Sequence, residues 1–243
     1  MSDNRWGDDF REMGVEIVEV PHGLKRELSK ARWGLKLVRI GAVSLVAALP
    51  FALAAGVTAA AMGGDPSHPA VLPPAALMLL LALAAVGFTL AGYVNCQKVH
   101  SDTGAIKYTR FAWLLLGGAV CLGIVAGVVR ESGIRTLAQL VSMLSYLFFL
   151  AYLWRINKYV GRDDLAESVK ITGFIYGVAF MVKVAELGSV VFVMLSTGRF
   201  NLPVSAAPFL IIASLVNGIL SVIVIWRHIV LLNKMIAAFK VDE

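Results

Sequence analysis

Six apolar stretches, each as long as a membrane-spanning helix, constrain this sequence more than any other feature. An α-helix rises about 1.5 Å per residue, so about 20 residues cross a hydrocarbon core about 30 Å thick. Backbone amides inside that core need partners within the chain, and a helix supplies them in segments of this length. The predicted spans are residues 38–61, 71–94, 111–129, 134–154, 171–195 and 206–231.

Composition places the chain in a membrane. Its residues are 58% hydrophobic and 16% charged, whereas soluble domains are about 25% charged. We therefore expect an all-α fold, a polytopic membrane helical bundle of six transmembrane helices. The net charge of +6 would suggest a nucleic-acid partner for a soluble protein. Here the basic residues lie beside apolar segments, where they meet anionic lipid, so no nucleic-acid partner is expected.

Four regions are predicted from the change in composition along the chain. They are a polar cytoplasmic N-terminal segment (1–23), an amphipathic juxtamembrane helix (24–36), the transmembrane domain (37–232) and a cytoplasmic tail (233–243). The first region lacks a basic start leading into a short apolar core and a cleavage site, so we expect no cleaved signal peptide. The three helix hairpins begin at unequal intervals, which argues against internal duplication.

The segment 24–36 has the pattern of a helix lying on a membrane surface. Leu28, Ala31 and Leu35 recur at helical spacing, and basic residues occupy the other faces. A helix that docks a partner or senses lipid is the functional alternative to a simple lead-in to the first span. The predicted interface anchors are Lys25, Arg26, Lys30, Arg32, Trp33 and Lys36.

Basic residues are distributed unequally between the two ends of the predicted spans. Of the 22 lysines and arginines, eighteen lie with the termini and the loops after spans two and four, and three lie at the other end. The positive-inside rule then puts both termini in the cytoplasm. We expect the inner membrane of a bacterium as the location.

The remaining basic residue, Lys183, lies inside the fifth span, three positions before Glu186. An ionised side chain at bilayer depth costs several kcal/mol unless it is paired or hydrated. At this spacing the two side chains can meet on one helix face. Three interpretations stay open: a neutralised structural pair, a proton or ion relay, and a face that contacts another chain.

Other polar residues fall at helical spacing on the three C-terminal spans and predict a polar layer around this pair. If spans five and six are centred near Lys183 and Asn217, the amide of Asn217 lies at the depth of the charges. The predicted layer consists of Lys183, Glu186, Asn217, Ser214, Ser221, Gln139 and Ser142.

Small residues predict where helices approach closely. In the second span Gly87 and Ala91 are four residues apart, and in the third Ala119, Gly123 and Gly127 repeat the same spacing. We expect these residues to lie at helix contacts.

No catalytic constellation, cofactor site or metal site is predicted. The four histidines are scattered over segments that do not share a membrane depth, and the serines inside the spans have no histidine beside them. Asp163, Asp164 and Glu167 form one acidic cluster that could bind Mg²⁺ and a diphosphate. We favour a structural role, in which Gly161 ends one helix and Asp164 with Glu167 makes a capping box for the next.

The predicted function is that of a non-catalytic integral membrane protein, a structural or accessory subunit of a membrane assembly. The alternative is a small channel or transporter for ions, protons or small solutes that uses the polar layer of spans four to six. An enzyme acting on lipid, with catalytic groups in the cytoplasmic loops, is a third class. Expected partners are anionic lipids on the cytoplasmic side, and other membrane subunits or a second copy of the chain.

Overall fold

A computed structural model describes residues 22–63, 68–98, 104–129, 132–197 and 207–239. Side chains are described for these residues except 22–27, 132, 186, 189–197, 207–215 and 217. The helices are α1 (His22–Ala61), α2 (Leu72–Cys96), α3 (Ile106–Val129), α4 (Ser132–Tyr159), α5 (Asp163–Thr197) and α6 (Ala207–Ala238).

The helices are arranged as a ring. Each packs against the next one along the chain, and α1 also packs against α6. All six are long and apolar enough to cross a membrane, which confirms the predicted all-α membrane bundle. Apolar side chains such as Leu53 and Val57 in α1 are 70% exposed, as expected where a helix faces lipid.

The segment 24–36 is continuous with the first predicted span. Helix α1 runs through both as one element of 40 residues, which at 1.5 Å per residue is about 60 Å long. That is about twice the thickness of a hydrocarbon core, so α1 extends beyond it. Leu28, Ala31 and Leu35 are fully buried among other helices. A separate interfacial helix is therefore not confirmed, because its apolar face is covered by the bundle.

Buried side chains concentrate at one end of the ring, which we call the basal end. It is the end at which α1 begins and α6 ends, since Arg32 of α1 bonds to the carbonyl of Ile236 in α6. Large apolar residues from the helix parts that meet there form a continuous core. This basal core includes Leu28, Leu35, Tyr93, Phe149, Tyr152, Leu153, Ile156, Val169, Leu231, Leu232, Met235 and Phe239.

Helices α1 and α2 touch through small residues seven positions apart on each helix, Gly34 and Gly41 on α1 and Ala85 and Gly92 on α2. A Cβ on Gly92 would lie 2.7 Å from the carbonyl oxygen of Gly34, and one on Gly41 would lie 2.8 Å from that of Ala85. A seven-residue interval is the repeat of helices that wrap around each other with a left-handed twist.

The contacts predicted from four-residue spacing are mostly wrong. Ala119 is buried, but a Cβ on Gly87, Gly123 or Gly127 would meet no atom within 4 Å, and Ala91 is exposed. The helices approach each other closely at residues seven positions apart instead. The faces that carry the small residues at four-residue spacing are not packed against another helix.

The joint between α4 and α5 is set by Gly161 at φ +77°. The N–H of Arg162 donates to the Asn157 carbonyl at 2.9 Å and that of Gly161 to the Lys158 carbonyl at 3.2 Å, which is the Schellman helix ending. The structure thus confirms that Gly161 ends α4.

The predicted capping box at the start of α5 is wrong, because the helix begins at Asp163, two residues earlier than the box requires. The carbonyl of Arg162 accepts the first helical bond, from Ala166 at 3.0 Å. Asp164 is therefore in the first turn, where its carboxylate receives Nε and Nη2 of Arg162, each at 3.1 Å. These hydrogen bonds hold the pKa of Asp164 below its ordinary value.

Candidate functional site

A cavity of about 880 Å³ lies inside the ring, and each of the six helices contributes to its wall. At one end the cavity is lined by residues next to the basal core: Tyr93, Tyr146, Tyr176 and His228. At the other end it is lined by Arg135, near the start of α4. The ring is therefore filled by side chains at its basal end and hollow beyond it. Volumes of this size are typical of pockets for small organic ligands.

The two sides of the cavity differ in chemistry. Helices α1 to α3 contribute mostly small and aliphatic side chains, and the hydroxyl of Thr89 is already bonded to the Ala85 carbonyl at 2.7 Å. Helices α4 to α6 contribute most of the polar groups. Those polar groups are Arg135, Gln139, Ser142, Ser145, Tyr146, Tyr176, Lys183, Ser221 and His228.

Four residues of the predicted polar layer line this one cavity: Gln139, Ser142, Lys183 and Ser221. They come from α4, α5 and α6, the three helices named by the sequence pattern. Lys183 is half-buried and has an interaction within the chain. The side chains of Glu186, Asn217 and Ser214 lie outside the described part of the chain, so the charge pair with Glu186 stays a prediction.

An aromatic cluster forms the floor of the cavity, next to the basal core. The ring of Tyr146 meets that of Tyr176 edge-on at 4.5 Å between centroids, and that of His228 at 4.8 Å. His228 is 5% exposed. Its Nδ1 and the Tyr146 hydroxyl are buried and have no hydrogen-bond partner among the described residues. Buried polar groups are normally bonded, so both atoms are candidates to receive a ligand.

His228 was not recognised from the sequence as part of this site, because it lies near one end of the predicted span 206–231, away from the polar layer. A signal for it exists in the chain. Ser214, Ser221 and His228 follow one another at seven-residue intervals, which keeps them near one helix face. Extending the polar stripe by one more interval would have reached the floor.

Ser145 also lines the cavity, but its hydroxyl already has a structural partner. Its Oγ donates to the carbonyl of Ala112 in α3 at 2.6 Å. This buried bond ties α4 to α3 beside the floor, so we assign Ser145 to the scaffold of the site.

The described basic side chains on the wall are Arg135 and Lys183, one from α4 and one from α5. No carboxylate appears among the described residues that line the cavity. Within that part of the wall, the formal charge is positive.

The predicted interface anchors have different environments. Lys30 and Trp33 are exposed, and the Lys36 ammonium lies 6.0 Å from the centre of the Trp33 ring. Arg32 instead bonds inside the bundle, through Nε to the Ile236 carbonyl at 3.1 Å. The side chains of Lys25 and Arg26 lie outside the described residues. Lipid contact by this set stays a prediction.

Comparison of the chain with protein-family models, with characterised proteins and with solved structures finds no match. The six long apolar helices are those of an integral membrane protein.

Proposed function

We propose that this integral membrane protein is a small carrier, which binds a solute in the central cavity and passes it across the membrane. The observation that supports the proposal is the cavity itself, lined by all six helices and carrying polar side chains on three of them. We further propose, from the distribution of basic residues, that the basal end faces the cytoplasm.

Polar groups within membrane-spanning helices are costly unless they find partners or water. A bundle built only for assembly would lower that cost by closing its helices on one another. Here Gln139, Ser142 and Ser221 instead border a volume of about 880 Å³. Polar groups around such a volume suit a solute that exchanges with water.

The basal core supports a second candidate, the non-catalytic accessory subunit. Phe149, Leu153 and Leu232 are essentially fully buried and fill the ring below the floor. A carrier has to separate these contacts to release solute at the basal end, as alternating-access transporters do between their two states. A subunit with a fixed binding cavity would keep them closed.

Access to the cavity from each side of the membrane distinguishes the two functions without knowledge of the solute. The test uses Ser221→Cys in a chain whose native thiols are removed by Cys96→Ala and Cys121→Ala. The protein is reconstituted in one orientation, and a membrane-impermeant cationic methanethiosulfonate is added to one face at a time. Only a hydrated thiol forms the thiolate that reacts.

For a carrier, Ser221→Cys reacts from both faces. Reaction from the end opposite the basal end alone would contradict the proposal and favour the fixed subunit. The matched control is Val222→Cys, one residue along α6, because Val222 is 60% exposed and does not line the cavity. We expect it to react slowly from either face.

A further inference from the structure

We infer that the floor of the cavity binds the hydroxyl group of an uncharged organic molecule, whose apolar body lies against the small residues of the wall. The inference rests on the proposed carrier function and names its substrate class. It follows from two buried polar atoms at the floor that have no partner among the described residues, and from the uncharged side chains around them.

The two atoms are Nδ1 of His228 in α6 and the hydroxyl oxygen of Tyr146 in α4. Both residues line the cavity, and their rings meet edge-on with 4.8 Å between centroids. His228 is 5% exposed, so its ring is almost excluded from bulk water. A buried polar atom without a hydrogen bond is costly to the fold, and a group that enters from the cavity can supply the missing bond.

The floor lies well within the part of the chain whose side chains are described. That part includes residues 163–185 of α5 and residues 218–238 of α6. Tyr176 and His228 are each nine or more residues from both ends of these stretches, which is about 13 Å along a helix axis. On these helices, the atoms without partners therefore lie among described side chains.

The side chains around the two atoms carry no formal charge. Besides each other, the two rings contact those of Tyr176 and Phe149. Lys183 is seven residues along α5 from Tyr176, which is about 10 Å along the helix axis. It also has an interaction within the chain, so the inference assigns it no ligand group. An ionised group at the floor would leave water without a charged partner among the described side chains, which is costly, so the ligand group that fits is uncharged.

A hydroxyl group matches this pair of atoms better than other uncharged groups. In a neutral imidazole Nδ1 either donates or accepts, and the Tyr146 hydroxyl can do both. A hydroxyl on the ligand can also do both, so it can bond to either form of His228. A carbonyl or ether oxygen only accepts, and a methyl group does neither.

The body of the ligand is set by the small residues that α1 to α3 contribute to the wall. Gly41, Ala42, Ala85, Ala119 and Gly123 have short side chains or none, and all of them border the cavity. Their side chains offer no donor or acceptor. An apolar body that covers them is removed from water together with them, which favours binding.

The test measures binding of 2-naphthol and three analogues with the same ring system. The analogues are 2-methylnaphthalene, which has no polar group, 2-methoxynaphthalene, whose oxygen only accepts, and 2-naphthoate, which is charged. Calorimetric titrations use the full chain in nanodiscs of zwitterionic lipid, with empty nanodiscs as the blank. We expect 2-naphthol to bind about tenfold more tightly than each analogue, which is about 1.4 kcal/mol.

Two variants assign the preference to the floor. Tyr146→Phe deletes only the hydroxyl, and His228→Phe keeps an aromatic ring without nitrogen. Each should reduce the preference for 2-naphthol over 2-methylnaphthalene, and the two together should abolish it. The control is Tyr159→Phe, which removes a hydroxyl from the same helix as Tyr146 at a position that is 47% exposed and outside the cavity. It should leave the preference unchanged.

Because the Tyr146 hydroxyl has no partner among the described residues, its removal breaks no hydrogen bond there, and Tyr146→Phe should be at least as stable as the native chain. This variant keeps the test valid even if His228→Phe fails to fold. Binding of any analogue to the native chain as tightly as 2-naphthol would overturn the inference. So would a preference for 2-naphthol over 2-methylnaphthalene that Tyr146→Phe leaves unchanged.

A lipid of the bilayer could supply the same hydroxyl chemistry, and a second arm identifies the source. If dioleoylglycerol in the nanodiscs competes with 2-naphthol, the ligand is a lipid; without competition, it is a free alcohol or phenol. Failure of the inference is distinguishable from failure of the carrier. Two-sided access of Ser221→Cys without a hydroxyl preference would reject only the inference, and a hydroxyl preference with one-sided access would reject only transport.

Discussion

Arg32 in α1 donates a hydrogen bond from Nε to the backbone carbonyl of Ile236 in α6, 3.1 Å away. Ile236 lies in the last turn of its helix, where carbonyls lack intrahelical donors and the helix dipole is negative. The bond joins the first helix of the ring to the last. The sequence separation of 204 residues makes it a contact that no local pattern could predict.

Replacing Arg32 should weaken the contact between α1 and α6. We expect Arg32→Met to lower the free energy of unfolding by about 1–2 kcal/mol, because a hydrogen bond from a charged donor is lost. Denaturation in detergent, followed by helical circular dichroism, measures the change. Lys30→Met is the control, since Lys30 is exposed on the same helix. Equal stability of the two variants would show that the contact does not hold the ring closed.

The contact of α1 with α2 should tolerate no added side chain at Gly92. A Cβ there would lie 2.7 Å from the Gly34 carbonyl oxygen and 2.9 Å from the Val38 nitrogen, so the backbones must separate. We expect Gly92→Ala to cost about 1–3 kcal/mol, as overpacking does. Gly87→Ala, in the same helix with nothing within 4 Å, should be neutral or stabilising by up to about 1 kcal/mol. The same unfolding assay compares them, and a neutral Gly92→Ala would contradict the close approach.

Asp164 should make a small contribution to stability that depends on pH. Its carboxyl lies in the first turn of α5, before the apolar part of that helix, and hydrogen bonds from Arg162 lower its pKa from 3.8. A lowered folded-state pKa stabilises the fold above the unfolded value and loses that effect as pH falls through the folded value. The stability difference between the native chain and Asp164→Asn should therefore be present at neutral pH, decline as the pH falls below 3.8 and disappear below the lowered pKa of the folded state. A difference that grows on acidification would contradict the assignment.

Lys183 and Glu186 should behave as a coupled pair if the side chains meet as their spacing predicts. Removing one partner of a buried pair leaves an uncompensated charge, at a cost of about 3–5 kcal/mol, whereas removing both is often neutral. We expect Lys183→Met to be less stable than Lys183→Met combined with Glu186→Gln. A double-mutant cycle on unfolding free energies measures the coupling. Additive effects would mean that the two residues act independently.

The fold was predictable because the length and spacing of apolar segments report directly on membrane-spanning helices. The separate helix at 24–36 was not confirmed, because its amphipathic pattern is the same whether the apolar face meets lipid or a neighbouring helix. Here Leu28 and Leu35 meet helices. The contacts of Gly34 and Gly92 were missed because four-residue spacing was expected, whereas the helices approach at a seven-residue repeat.

The site was partly predictable. Gln139, Ser142, Lys183 and Ser221 were selected by their periodicity and by their rarity in apolar spans, and all four border the cavity. The cavity's apolar wall could not be foreseen, since residues such as Ala82 and Leu116 resemble any lipid-facing residue in sequence. Only the closure of the ring decides which apolar residues face inward.

A carrier needs a hydrated cavity wall, and two nearby positions on α4 test directly whether the wall is hydrated. Ser142 lines the cavity, whereas Leu144 is exposed on the outside of the bundle. In the chain without native thiols, Ser142→Cys should react with the impermeant methanethiosulfonate at least about tenfold faster than Leu144→Cys, because thiolate forms only in water. Equally slow reaction of both thiols would show that the ring encloses no hydrated cavity and would contradict the proposed carrier function.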